Sequence, residues 1–403
     1  PAFYRPRYLP DGRLETTEPT ADVPALIQRR MVSDLSNLPT ASTILTPDTT
    51  FDDTYLIEVS RGCPHGCRFC SAGYVYRPPR YRPLDLLVKQ VEKGCALTDR
   101  IGLVGAAVSD LPGIERLCST DREGEIRFSF SSLRADALEG ALVAALKNSQ
   151  VKTATIAPDA GSERMRRVVN KGITEDHVIS AADILVNAGI PNLKVYFMIG
   201  LPTETEADVA AIVDLVKRVK HRFLKTSRGR GRIGEITVSI NSFVPKPHTP
   251  FQWTAMDEIH LLKEKIKRIK LGLKRVSNVQ VHADIPKWAY IQGLLSRGDR
   301  RVAEILMLLS ENNGNWATTL KASPANPDFY VVRERSLDEN FPWDFIDHGI
   351  RKSFLKSEYQ KALRDTPTAS CNPTSCNICG VCHPPETPSS VERIYSMPDN
   401  KNT

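Results

Sequence analysis

Three cysteines, Cys63, Cys67 and Cys70, stand in the run Ser60-Arg-Gly-Cys-Pro-His-Gly-Cys-Arg-Phe-Cys-Ser71, directly after the strand-like segment Tyr55-Leu-Ile-Glu-Val-Ser60. A CxxxCxxC loop with an aromatic before its last cysteine supplies three thiolates to a four-iron cluster, which takes four ligands. One iron then stays open for a small molecule. The same trio also fits a catalytic zinc, which uses three protein ligands and a water. A second thiol group lies in the tail, Cys371-Asn-Pro-Thr-Ser-Cys376-Asn-Ile-Cys379-Gly-Val-Cys382. Thiols this crowded would oxidise unless a metal held them. Tetrathiolate zinc usually uses two separated CxxC pairs, so the compressed spacing admits zinc or a second iron–sulfur cluster. His383, which follows directly, is a further possible ligand.

The elements that must position these residues follow from periodicity. Residues 1–50 read as an amino-terminal arm or linker, with several prolines and a Pro10-Asp-Gly-Arg13 turn signal that suits a hairpin. From residue 51, apolar runs of five to seven residues alternate with amphipathic stretches, the pattern of strand–helix units around a parallel sheet. Strands are expected near 55–60, 101–106, 126–131, 152–157, 193–199 and 235–241, and helices over 84–95, 111–118, 136–148, 174–188 and 206–222. The last two helices open on Thr174-Glu-Asp and Thr205-Glu-Ala-Asp, acidic first turns that suit the helix dipole. Beyond 250 the sequence predicts a charged helix at 257–275 and helical stretches from Lys287 to Leu295, from Arg300 to Leu309 and over about 346–363. Residues 311–345 resist assignment.

These cysteines do not stand alone. Downstream lie Ser129-Phe-Ser-Ser-Leu-Arg-Ala-Asp136, Ala157-Pro-Asp-Ala-Gly-Ser-Glu-Arg164, Tyr196-Phe-Met-Ile-Gly-Leu-Pro-Thr-Glu-Thr205 and Asn241-Ser-Phe-Val-Pro-Lys-Pro-His-Thr-Pro250. With the cysteine loop, these five ordered blocks resemble the radical S-adenosylmethionine (SAM) superfamily, in the branch that includes methylthiotransferases and cobalamin-associated enzymes. The resemblance spans roughly 50–300 and implies an α/β fold, a partial (βα)6 radical SAM barrel over 51–285. Around it stand the arm and a mainly helical carboxyl-terminal extension, 286–403, ending in a four-cysteine metal knuckle at 371–382. It further implies a 4Fe-4S cluster on Cys63, Cys67 and Cys70 that cleaves SAM reductively, releasing methionine and a 5'-deoxyadenosyl radical. All five blocks fall at the carboxyl ends of expected strands, where parallel α/β folds gather their ligands.

The resemblance also nominates SAM contacts. Phe69 takes the aromatic slot whose backbone touches adenine in the family. Gly105 and Ala106 stand where many relatives carry Gly-Gly-Glu; the acid is missing here, and Ser109 and Asp110 are nearby substitutes. Ser132 and Arg134 end the third strand. A guanidinium offers paired donors to the methionine carboxylate, although pairing with Asp136 is the local alternative. Asp159 occupies the position of a family Glu and suits the ribose hydroxyls or amino group, Arg164 is a second carboxylate partner, and Asn241 meets the adenine edge. For His248 and Tyr196 the readings preferred are a loop hydrogen bond and a packed aromatic. Arg77-Pro-Pro-Arg80, Asn241 to Trp253 and Trp288 to Arg300 look most like members with an amino-terminal cobalamin domain. No such domain precedes the barrel here, so cobalamin is expected to be absent, supplied in trans by a partner, or carried on a missing domain.

Composition bounds the rest. Of 403 residues, 41% are hydrophobic and 25% charged, ordinary for a globular chain, and no apolar run reaches the length of a membrane span. The opening Pro1-Ala-Phe-Tyr-Arg-Pro-Arg lacks an apolar signal core, so a cytoplasmic setting is expected. Seven of nine cysteines fall in the two clusters, which suits a reducing compartment. Cys95 and Cys118 read as small packing residues. The net charge of +7 concentrates in 217–232 and 263–275, strips that suit either nucleic acid or a solvated helix face. Three functions remain: a radical SAM enzyme for methyl transfer or a related radical modification, an RNA-modifying enzyme of methylthiotransferase type, and a metal-binding scaffold without catalysis. Expected partners of the first two are a reductant such as flavodoxin or ferredoxin and an unidentified substrate.

Overall fold

The computed structural model describes residues 3–20, 22–120, 125–130, 133–138, 140–228, 233–373, 376 and 378–382. Seven parallel strands carry the barrel: β1 (Tyr55–Glu58), β2 (Arg100–Val104), β3 (Arg127–Phe130), β4 (Thr153–Asp159), β5 (Asn192–Ile199), β6 (Ile236–Ser242) and β7 (Val279–Ala283). They pair in sequence order as a three-stranded and a four-stranded sheet, joined by a parallel bridge between Leu133 and Ile156. Apolar runs such as Leu193-Lys-Val-Tyr-Phe-Met-Ile199 bury alternate residues completely, as strands covered by helices do.

Between strands run α1 (Leu84–Cys95), α2 (Ile114–Cys118), α3 (Gly140–Asn148), α4 (Glu163–Val168), α5 (Glu175–Asn187), α6 (Glu206–Ser227) and α7 (Ile259–Leu273). The threonine entries hold: Thr174 and Thr205 each close a capping box, with His177 and Asp208 as reciprocal partners. Three expectations are corrected. A seventh strand, β7, follows the sixth; its alternation of Val and Ala with Gln280 and His282 suits an edge with one wet face. α4 was not expected. Ile346–Asp347 is a short strand paired with Ile27–Gln28, so the last helix starts at Lys352. Cys118 is buried as expected, whereas Cys95 is exposed at the end of α1.

The arm is a brace. Its hairpin, Tyr4–Tyr8 against Leu14–Pro19, turns at residues 9–13. Arg301 lies 3.9 Å over the Tyr8 ring and donates Nη2 to the Gly12 carbonyl at 2.8 Å. Further on, Ser42 N donates to Leu56 O and Glu58 N to Thr40 O, both at 2.9 Å, covering an otherwise open edge of β1.

After β7 come α8 (Pro286–Arg297), α9 (Val302–Glu311), α10 (Trp316–Ala322), α11 (Asp328–Val331) and α12 (Lys352–Leu363), the first four sharing the barrel's apolar core. α12 belongs to a second core. There Phe354, Leu355 and Tyr359 meet Phe341, Trp343 and Trp253, with Tyr74 of the cysteine loop and Met165 and Val168 of α4. Arg68, fully buried in that loop, donates Nε and Nη2 to Glu358 Oε2 of α12, each at 3.2 Å. Its remaining donors go to the carbonyls of Arg167, Val168 and Thr366. Glu358→Ala should cost about 3–5 kcal/mol by leaving a buried charge unpaired. Anaerobic urea unfolding checks this, and Glu358→Gln should lose less.

Candidate active site

The cysteine loop begins on a strained turn. Gly62 has φ +81°, and a Cβ there would lie 2.4 Å from the Tyr76 carbonyl oxygen. The chain then doubles back through Cys63 and Cys67, both buried, to the half-buried Cys70, whose N–H donates to Cys67 O at 3.0 Å. Between them the Gly66 carbonyl accepts from Tyr74 Oη at 3.0 Å and from Asn170 Nδ2 at 3.1 Å. His65 pairs with Asp110, at the end of the segment after β2.

Burial pushes the Cys67 thiol up to about 12, opposed by the neighbouring Lys171 ammonium, and raises Cys63 to about 11. Both thiols also sense Cys70. Each must surrender a proton before it can bind metal. Among the described residues no three His, Cys, Asp or Glu side chains are drawn together as around a single ion. A four-iron cluster gives each thiolate its own iron.

Beside this loop a cavity of about 580 Å³ opens at the carboxyl ends of the strands. Phe69 of the loop, Thr155, Ala157 and Asp159 of β4, Tyr196 and Met198 of β5 and Asn241 of β6 line it, with Gln292 of α8 closing one side. The carboxylate of Asp159, at φ +65°, meets Lys171 Nζ at 2.6 Å, and both lie close enough to Cys67 to influence its charge. A left-handed non-glycine residue is uncommon and concentrates at functional sites.

Of the residues nominated by sequence, Phe69, Asp159 and Asn241 therefore share one cavity. The other nominated residues that are described do not line it. Ala106 lines a different cavity, and Gly105 is packed so closely that an added Cβ would lie 2.7 Å from Ser60 Oγ. Arg134 is gripped by Asp136 through Nε at 3.0 Å and Nη2 at 2.8 Å, the local alternative to a carboxylate ligand. Arg164 is spent on the α4–α6 junction, where it pairs with Asp208 and donates to Thr203 O. Burial opposes ionisation of Asp208, but donors from Arg164, Ser162 and Thr205 outweigh it and hold the carboxyl well below its usual range. Ser132 and His383 lie outside the described residues.

Tyr196 lines the cavity instead of being packed away, while His248 sits in its loop edge-on to His348 at 4.3 Å. Lys171 and Gln292 were missed by sequence reasoning. Gln292 lies within the Trp288–Arg300 block but was given no role there, and Lys171 belongs to no block.

The tail cysteines reach the same loop from outside. Cys371 N donates to Pro64 O at 2.7 Å, and the buried Arg77 guanidinium faces Cys379 and Cys371 while lying 4.9 Å over the Tyr74 ring. Thr368 N donates to Asn170 Oδ1 at 2.8 Å, so the residue that holds Gly66 is itself held by the tail. Cys371, Cys376, Cys379 and Cys382 are neighbours: burial is the first cause of the raised thiol pKa of Cys371 and Cys382, and the charges of the other tail cysteines add to it.

Residues 57–216 match the family model of the Radical SAM superfamily, and this segment is a radical SAM domain. A relative described as "Uncharacterized protein MJ0966", from Methanocaldococcus jannaschii, is 34% identical over 308 residues, covering 76% of this chain and 63% of its own length. The tRNA-2-methylthio-N(6)-dimethylallyladenosine synthase of Fusobacterium nucleatum is 26% identical over 186 residues, 42% of each chain. The chain thus spans between about two fifths and three fifths of these relatives' lengths. Among solved structures, Streptococcus suis SuiB bound to S-adenosylmethionine superposes with TM-score 0.41 at 14% identity over 57% of this chain and 50% of that one. TsrM from Kitasatospora setae gives 0.38 at 16% over 49% and 38%. A radical SAM domain implies a 4Fe-4S cluster and SAM. No described helix is long and apolar enough to cross a membrane.

Gly62→Ala should retain less than roughly half the iron after anaerobic reconstitution, because the loop cannot close around an added methyl. Gly140→Ala, whose methyl meets open space, should retain all of it. Iron analysis of desalted protein checks both.

Proposed function

We propose that Cys63, Cys67 and Cys70 hold the cluster and that SAM occupies the 580 Å³ cavity. Bound there, the cluster supplies one electron to the sulfonium of SAM, giving methionine and a 5'-deoxyadenosyl radical. The observation that carries this reading is that one loop provides both the three thiols and Phe69, a wall of the cavity.

The chain's own residues bind, orient and exclude water. Asp159 accepts hydrogen bonds from the ribose hydroxyls or the amino group, and Lys171 holds its carboxylate in place. Asn241 offers an amide to the adenine edge. Phe69 and Tyr196 cover the site. Arg134 and Arg164, each committed to a carboxylate, steady the surrounding loops. Gly105, packed against Ser60, and Ala106, in the wall of another cavity, take no part in this pocket. The tail cysteines hold zinc or a second cluster with every position filled, a structural role that backs the loop through Cys371.

The radical serves methyl transfer or a related modification of an unidentified substrate, with flavodoxin or ferredoxin as the reductant. Cobalamin supplied in trans or from another part of the protein is supported by the Arg77-Pro-Pro-Arg80 and Asn241–Trp253 blocks. A second reading, RNA modification, is favoured by relatives named as tRNA methylthio synthases and by a groove on α7 lined with Lys263, Lys267, Lys270 and Lys274. Against it, several cations of these strips are already paired: Arg218 with Glu175, Arg222 with Asp183, Lys265 with Glu204, and Arg268 with Glu206.

Anaerobically reconstituted protein with dithionite and SAM should release 5'-deoxyadenosine, and Cys67→Ala should release none. Asp159→Asn should weaken SAM binding about tenfold, the loss of one charged hydrogen bond. Chromatographic quantitation of 5'-deoxyadenosine and equilibrium dialysis of SAM check these. Undiminished cleavage by Cys67→Ala removes the loop from the chemistry.

A further inference from the structure

A second cavity, of about 650 Å³, is lined by the cysteine loop together with the amino-terminal arm. Arg29 and Arg30 enter its wall from the arm, Arg61 and Arg80 from the two ends of the loop, and Ala106 from the end of β2. Among the residues that line it, Glu58 is the one carboxylate beside the guanidiniums of Arg29, Arg61 and Arg80, and it is shared. Arg61 donates Nε to Glu58 Oε1 at 2.9 Å, and Arg82, outside the wall, pairs with the other oxygen.

Carbonyl contacts fix two of these guanidiniums, and the Asp347 carboxylate, outside the wall, partly offsets the charge of Arg29. Arg29 donates Nη2 to the Arg77 carbonyl at 2.5 Å, and Arg80 donates Nε to the Pro78 carbonyl at 3.2 Å. Burial lowers the pKa of Arg29, and burial followed by the charges of Arg29 and Arg61 lowers that of Arg80. Like charges are therefore held together at a desolvated wall, an arrangement that an anion would relieve.

An independent feature points the same way. Ser60 is only 6% exposed and lines the cavity, yet its hydroxyl has no hydrogen-bond partner. Nδ1 of His348, on the facing wall, is likewise buried and unpartnered. Leaving a buried polar group unsatisfied costs about 1–3 kcal/mol, so native folds keep such groups chiefly where something else completes them. Arginines that merely pinned the arm would need their carbonyl partners alone.

We propose that this cavity binds a phosphate-bearing ligand whose oxygens accept from Arg29, Arg61, Arg80 and the Ser60 hydroxyl. Guanidiniums present paired donors that match phosphate oxygens, and a clustered set of them calls for an anion carrying more than one charge, which a single carboxylate lacks. The site is separate from the SAM cavity, and its occupancy can be read without SAM cleavage.

Calorimetric titration of the reconstituted protein with inorganic pyrophosphate, adenosine diphosphate and a short single-stranded RNA tests this. Saturable one-to-one binding is expected, weakened at least about tenfold in Arg80→Gln and in Arg61→Gln. Ser60→Ala should weaken it by a smaller factor. If Arg80→Gln melts early by circular dichroism, Arg61→Gln carries the test, because its side chain stands at the more open end of the wall. Lys267→Gln, in the separate lysine groove of α7, should bind as the parent does. RNA that binds and is displaced by pyrophosphate would assign the phosphate to a nucleic-acid backbone, and pyrophosphate binding without RNA binding to a small molecule; both sustain the site. Failure of all three probes to bind, equal binding by the arginine variants, or loss confined to Lys267→Gln overturns it.

Discussion

A guanidinium with no exposed surface must be neutralised where it stands, and in this protein Glu358 does that for Arg68. The pair joins the centre of the cysteine loop to the last helix of the chain. Because the same guanidinium also gathers carbonyls from α4 and from Thr366, the loop is fixed at one point by three distant segments. Asn170 repeats the arrangement a few residues away, donating to Gly66 and accepting from Thr368. The extension after the barrel is thereby part of the apparatus that shapes the loop.

That framing explains how the loop can serve two faces. Phe69 turns toward the barrel mouth, where Asp159 and Asn241 wait, while Gly62, Ala72 and Tyr76 turn toward the arm and its arginines. Strand ends supply the first wall because a parallel barrel brings every carboxyl end to one side. The second wall exists only because the arm folds back over β1 and the strand at Ile346–Asp347 ties it down.

Much of this was written in the sequence. Short runs rich in apolar residues marked the six inner strands, and Thr174 and Thr205 marked the starts of α5 and α6, since their side chains close local capping boxes. The site was legible where the chain order of strands carries it, as with Phe69, Asp159 and Asn241. It was illegible where pairing is long-range: Arg68 and Glu358 stand 290 residues apart. Arg134 and Arg164 looked like carboxylate binders because a guanidinium advertises that chemistry, but Asp136 and Asp208 take up their donors first. β7 was missed although its Val-Gln-Val-His-Ala alternation is itself the pattern of a strand with one wet face.

The central claim is that the loop leaves one iron open to SAM. Electron paramagnetic resonance of the dithionite-reduced Cys371→Ala, Cys376→Ala variant, in which the tail cannot contribute a complete four-thiolate site, addresses it directly. The account predicts a reduced-cluster signal whose shape changes when SAM is added. A signal indifferent to SAM, or protein that carries zinc and no signal at all, would contradict it.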